Sequence, residues 1–180
     1  MRRVSPPNDP QGPPGPPGPD APGAEADRAR EVARLAQLNR GFHAVVPHNR
    51  ALGLGMLSLE DGEARMILPY SADLVGNPET GVLHGGAITS LMDAACGAAV
   101  FMKLRSPVPI ATLDLRIDYL RPAEPGRDVR AHATCYRVTR NVAFVRGVAY
   151  HEDEDDPIAA AAAAFMLATP SGRTARTKAP

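Results

Sequence analysis

The spacing of apolar residues changes period several times along this chain, and each change marks an element. Over residues 24–41, Ala29, Val32, Ala33, Leu35, Ala36 and Leu38 form a rough apolar side. Arg28, Arg30, Glu31 and Arg34 form the other, which predicts a packing helix with Gly41 as its stop. Residues 52–69 switch to a strand pattern: Leu54, Met56, Leu57 and Leu59, then Ala64, Met66 and Leu68 alternating with Arg65 and Ile67. Asp61-Gly62 between the two runs predicts a β-hairpin. Residues 70–81 end in the breakers Asn77-Pro78-Glu79-Thr80-Gly81 and predict a loop. The helical period returns as Ile88, Leu91, Met92, Ala95 and Ala99, in a long helix ending near Leu104 ahead of Pro107 and Pro109. Residues 110–120 alternate, with Leu113, Leu115, Ile117 and Tyr119 on one side and Asp114, Arg116, Asp118 and Leu120 on the other. That is the pattern of a half-buried antiparallel strand. Two more strands are predicted at 128–138 and 142–151, around Thr139-Arg140-Asn141. A last strand is predicted at 158–168; its alanines favour helix, but Phe165, Leu167 and the hairpin spacing outweigh them. The order gives an α+β domain, one antiparallel sheet with a single buried helix against it.

Composition narrows the class. A chain of 180 residues with 44% apolar residues suits one domain with a filled core. Nine of the nineteen prolines lie in residues 1–23, so that segment reads as a disordered tail. The domain is expected over 24–169, followed by a flexible tail at 170–180. The net charge of zero suggests no nucleic-acid or anionic-membrane surface. Two cysteines, Cys96 and Cys135, without a CxxC pair argue against a disulfide scaffold or thiolate metal site and fit a reducing cytoplasm. No unbroken apolar run reaches the ~18 residues of a membrane span. The proline-rich start is unlike a secretory signal. His43, His48, His132 and His151 show no metal-ligand spacing.

The candidate chemistry lies in residues 81–97, a turn with His84, Gly85 and Gly86 that runs straight into the apolar helix. Backbone N–H groups at a helix start favour an oxygen that is gaining negative charge. Asp93 stands in mid-helix, off the apolar stripe, where a carboxylate can activate water or attack directly. Taken alone, it would read as a solvated helix acid. Together these groups suit acyl-transfer hydrolysis of an ester or thioester. His84 and Asp93 are nine residues apart, half a turn out of phase and ~13 Å apart along the axis. They cannot line one small pocket from the same helix, so a shared site needs two chains. Thr89, Ser90, Cys96 and Gly97 beside Asp93 are small enough to admit a second helix closely. A homodimer with interfacial sites follows.

The stretch Asn77-Pro78, then Gly81-Val82-Leu83-His84-Gly85-Gly86-Ala87-Ile88, Leu91 and Asp93, resembles the hotdog-fold thioesterases of the phenylacetic-acid-degradation (PaaI-like) family. Residues 111–122 are similar to the strand after that family's helix, and the likeness covers roughly 52–168. The resemblance implies a hotdog fold, in which one antiparallel sheet wraps a long central helix. It implies homodimers, commonly paired as homotetramers, and hydrolysis of acyl-CoA thioesters with no cofactor. By position, Asp93 matches the catalytic acid and Gly85 the amide that polarises the carbonyl. His84 and Asn77 match residues holding the turn and substrate, and Thr112 a hydroxyl that helps place water. The family pattern has its Asn one residue nearer the histidine than Asn77.

Gly86 is expected to approach substrate closely through its backbone. Arg140, in a hairpin turn, is the arginine chosen for the CoA phosphates. The competing reading on the same fold is a non-hydrolytic acyl-CoA-binding or sensing protein. Asp93 argues against it, because binding alone needs no buried acid. An enoyl-CoA hydratase would need a second acid–base motif, which the sequence lacks.

Overall fold

A computed structural model describes residues 24–104 and 108–168; the tails expected at 1–23 and 170–180 lie outside these. Helix α1 (Ala24–Val45) continues past Gly41, so that glycine is not its stop. A glycine inside a helix costs only ~1 kcal/mol against alanine, which the apolar residues that follow can offset. Chain contacts divide the protein at Arg34/Leu35. In the first unit Val32 is 67% exposed, so the apolar side expected for the helix is not a packing face there. The second unit carries the sheet. In it Phe42 and Leu52 pack on the core. Asn39 acts as a strand substitute: its Oδ1 accepts from Met56 N at 2.6 Å and its Nδ2 donates to Met56 O at 3.2 Å. A short helix α2 (Pro47–Ala51), not expected from the sequence, follows with proline in its first turn.

Six strands form one antiparallel sheet in the order β1-β2-β6-β7-β8-β5. They are β1 (Gly55–Glu60), β2 (Glu63–Leu68), β5 (Ile110–Tyr119), β6 (Val129–Val138), β7 (Val142–Tyr150) and β8 (Ala159–Leu167). The β1–β2 turn holds Gly62 at φ 77, the conformation that Asp-Gly predicted. The expected loop at 70–81 contains further structure, a 3-10 turn at Ala72–Leu74 and then β3 (Val75–Asn77), which pairs with β4 (Val82–Leu83).

Helix α3 (Gly85–Lys103) lies across β2, β6 and β7. Ile88, Leu91, Met92, Ala95 and Ala99 are all buried, as their spacing predicted. By length and mean hydropathy α3 could cross a membrane, but here it is the core helix of a wrapped sheet. The alanine run does form strand β8, bonded on both sides by β7 and β5. Ladder bonds and burial of Ala159, Ala161 and Ala163 override alanine's helix preference.

Strand β5 corrects the simple alternation read from residues 110–120. A bulge between Thr112 and Asp114 leaves Leu113 without a ladder partner, and Leu113 is 56% exposed. Leu115 and Ile117 still face the core, but Tyr119 is half exposed. Strand β5 is an edge strand, and its second edge carries no neighbour among the described residues.

Replacing fully buried Leu91 with alanine is expected to cost ~2–5 kcal/mol of stability. Val32→Ser is expected to stay within ~0.5 kcal/mol. Urea unfolding followed by circular dichroism checks both, and equal losses would overturn the assignment of the core.

Candidate active site

The start of α3 is assembled by the small hairpin ahead of it. Asn77 organises that turn. Its Oδ1 accepts from Glu79 N at 3.0 Å, and its carbonyl accepts from Thr80 N at 3.2 Å and Gly81 N at 2.9 Å. Tyr70 donates its hydroxyl to Gly81 O at 2.9 Å. Gly76 packs flat on His84; a Cβ there would lie 2.9 Å from His84 Cα. His84 is the N-cap of α3, with extended backbone at φ −63, ψ 133. Its Nδ1 accepts from Gly86 N at 2.9 Å, so the neutral ring carries its proton on Nε2. Gly86's amide is therefore engaged by the ring. Gly85's amide, in the first helical turn, has no partner among the described residues. The Gly85 carbonyl accepts from Tyr119 Oη at 2.6 Å and Thr89 Oγ1 at 3.1 Å, and those two hydroxyls are 2.9 Å apart.

Asp93 emerges two turns further along α3, partly buried. Thr112 Oγ1 donates to Asp93 Oδ1 at 2.8 Å, which leaves Oδ2 with no protein donor among the described residues. Both residues line a cleft of about 740 Å³. Gly97 and Ala98 also line it, and Phe42, Val45, Phe101 and Met102 make it largely apolar. His48 of α2 also faces this cleft and lies 3.3 Å from Ser90 Oγ. Cys96 stands behind the acid. Burial first, and then the charge of Asp93, push its thiol from 9.0 up to about 12. Cys135 is raised as well, chiefly by burial. Both thiols are unpaired and buried.

Gly85 faces a different cleft, of about 460 Å³, with Tyr119, Leu120 and Arg121. One chain thus brings Asp93 and Thr112 together at one place and His84, Gly85 and Gly86 at another. This is the separation expected from nine residues of helix. Asn77 lies in the turn below His84, and Arg140 is exposed in the β6–β7 turn, lining neither cleft. Sequence reasoning missed Tyr119, Thr89 and His48 as members of the site, and Gly76 beneath it. Gly85, Thr89 and Asp93 recur at i, i+4, i+8 and so share a helix face, a signal that could have singled out Thr89. Tyr119 gave none, because an alternating strand hides what its hydroxyl reaches. Among the described residues no group of three or more His, Cys, Asp or Glu is arranged to hold a metal ion. His151, buried, spends both ring nitrogens on backbone, on Glu124 N and Asp128 O.

Comparison with known proteins finds a family described as Thioesterase superfamily matching residues 80–158. The medium/long-chain acyl-CoA thioesterase YigI of Escherichia coli is 33% identical over 135 residues, covering 68% of this chain and 86% of that protein. A crystal structure of a Pseudomonas aeruginosa protein is similar at TM-score 0.65 and 48% identity, over 73% of this chain and 97% of that one. A mutant of the phenylacetic acid degradation protein PaaI from Thermus thermophilus is similar at TM-score 0.59 and 30% identity, over 67% and 98%.

Only a thiolate reacts readily, and both thiols sit above their ordinary pKa. At neutral pH the folded protein is expected to leave both cysteines unreacted with a disulfide thiol reagent, and the urea-unfolded protein to react fully. Absorbance of the released chromophore reads this, and fast labelling of the folded protein would overturn the burial of these thiols.

Proposed function

This chain belongs to the thioesterase superfamily, with its hotdog fold, and from that premise we propose a two-subunit mechanism for acyl-CoA hydrolysis. The protein is a thioester hydrolase. The observation that carries the finer reading is that both halves of the site are hydrogen-bonded to one edge strand. Thr112 of β5 holds Asp93, and Tyr119 of β5 holds Gly85. They are seven residues apart, or ~23 Å along a strand.

An edge strand of ten residues with a free ladder and exposed Leu113 and Tyr119 is a ready pairing surface. If β5 pairs antiparallel with β5 of a second copy, about a two-fold axis near Leu115 and Arg116, the Thr112 end of each strand meets the Tyr119 end of the other. Asp93 of one copy then faces Gly85 of the other, and the two clefts join. Such dimers pair into a tetramer in the reading drawn from the family resemblance.

In this mechanism the thioester carbonyl lies against the free Gly85 amide. The His84 Nε2–H, fixed outward by the Gly86 bond, is available as a second donor. Thr112 holds one oxygen of Asp93, and the other takes a proton from water. The hydroxide attacks the carbonyl carbon, and negative charge collects on the oxygen facing the helix N-terminus. Collapse breaks the C–S bond and expels the CoA thiolate, and the proton on Asp93 goes to that sulfur. Direct attack by Asp93 would give a mixed anhydride that water then cleaves; both routes use the same carboxylate. The apolar cleft beyond Asp93, together with the name of the Escherichia coli relative, supports a medium or long aliphatic acyl chain. Exposed Arg140 is assigned to the CoA phosphates, Asn77 to holding the turn. The unpaired thiols suit the cytoplasmic location expected from composition.

Released CoA, measured across short, medium, long and aryl acyl-CoAs, tests the reaction. Asp93→Asn is expected to lower kcat by ~10²–10⁴. Retained kcat would overturn the role of Asp93, and acyl-CoA binding with no turnover by the wild type would favour a binding protein. Gly85→Pro deletes the proposed donor at the first helical position, where the extended His84 suits proline; its Cβ, 3.1 Å from Tyr119 Oη, also makes that phenol shift, so the variant disables the whole N-terminal half-site. Each variant alone is expected to be inactive. Mixed equally with subunit exchange, they should recover about a quarter of wild-type activity, since half the dimers are mixed and each has one intact site. No recovery despite proven exchange would overturn the composite site.

A further inference from the structure

We propose that Tyr119 is a positioning residue that clamps the Gly85–Gly86 peptide and, through it, sets the His84 ring. This rests on the role given above to the α3 N-terminus. Tyr119 is half exposed on an edge strand, where a phenol ordinarily turns to water. Here its hydroxyl instead turns in to the Gly85 carbonyl at 2.6 Å, beside Thr89 Oγ1 at 3.1 Å from the same oxygen. The fit is close: a Cβ on Gly85 would stand 3.1 Å from Tyr119 Oη, so only glycine lets the phenol in without a shift.

The clamped carbonyl belongs to the same peptide group as the Gly86 N–H. That N–H donates to His84 Nδ1 at 2.9 Å. A continuous chain therefore runs from the Tyr119 O–H, through the Gly85–Gly86 peptide, to the imidazole. Each donor in such a chain strengthens the next, by ~10–30% per bond. The chain has two effects. It stops the first turn of α3 from rocking, which fixes the direction of the free Gly85 amide. It also holds His84 as the Nε2–H tautomer. Tyr119 touches no reacting atom; it acts through Gly85 and His84.

Tyr119→Phe keeps the ring and removes the donor. It is expected to lower kcat roughly three- to tenfold, the loss of one neutral hydrogen bond, with KM little changed. Imidazole and amide ¹⁵N spectra without substrate supply the readout that a merely packing role would not move. The Gly86 amide proton should shift upfield, and His84 should show a mixture of tautomers. Thr89→Val, which removes the other half of the clamp, should shift the same resonances less, and it carries the test if Tyr119→Phe loses the native oligomer. Unchanged Gly86 and His84 resonances in both variants, or full kcat in Tyr119→Phe, would overturn the proposal. Failure of the underlying reading appears separately, as full kcat in Gly85→Pro.

Discussion

Burial of α3 against the sheet is the constraint on which the rest of this structure depends. A helix whose apolar stripe is fully covered by β2, β6 and β7 cannot rotate without exposing Leu91 and Met92, each worth ~1.5–3 kcal/mol of burial. Its two polar features therefore leave the core at fixed places. The first turn opens at one end and Asp93 emerges nine residues on. Neither position is adjustable by a loop, which suits the roles proposed for them, holding a reacting carbonyl and a water in register.

Strand β5 then becomes more than the last strand of a sheet. It reaches the helix twice, once through a threonine hydroxyl and once through a tyrosine hydroxyl. A bulge at Leu113, just past Thr112, re-aims the local side chains, as bulges beside functional sites often do. The same strand presents an edge with no neighbour among the described residues. Support for both halves of the candidate site and the surface proposed for a second copy thus lie in one ten-residue element.

The chemistry assigned to this frame uses weak groups made effective by placement. One backbone amide, one imidazole held in a single tautomer and one carboxylate held by a hydroxyl are ordinary side-chain and main-chain groups. The neighbouring thiol of Cys96 is silenced by burial and by the charge of Asp93, so the acid stands beside no competing nucleophile. In the proposed mechanism the apolar cleft beside Asp93 takes the acyl chain away from the reacting carbon.

The sequence by itself determined most of the architecture, because periodicity reports burial directly. The stripe on α3, the Asp61-Gly62 turn and the four late strands were all legible in it, and so was the separation of His84 from Asp93 along the helix. Even the alanine strand was readable, once hairpin spacing was weighed against propensity. The tertiary structure decided what pattern cannot encode. Alternation in β5 assumes an unbroken ladder, so the bulge and the outward Leu113 were invisible. Gly41 looked like a helix stop because local propensity knows nothing of the residues beyond it. Tyr119 and Thr112 reach α3 over 34 and 19 residues of chain, contacts set by how sheet and helix pack. The groups expected to do chemistry, and the Thr112 hydroxyl with them, could be named from a motif; the Tyr119 hydroxyl that holds Gly85 could not, because a long-range hydrogen bond leaves no local periodic trace.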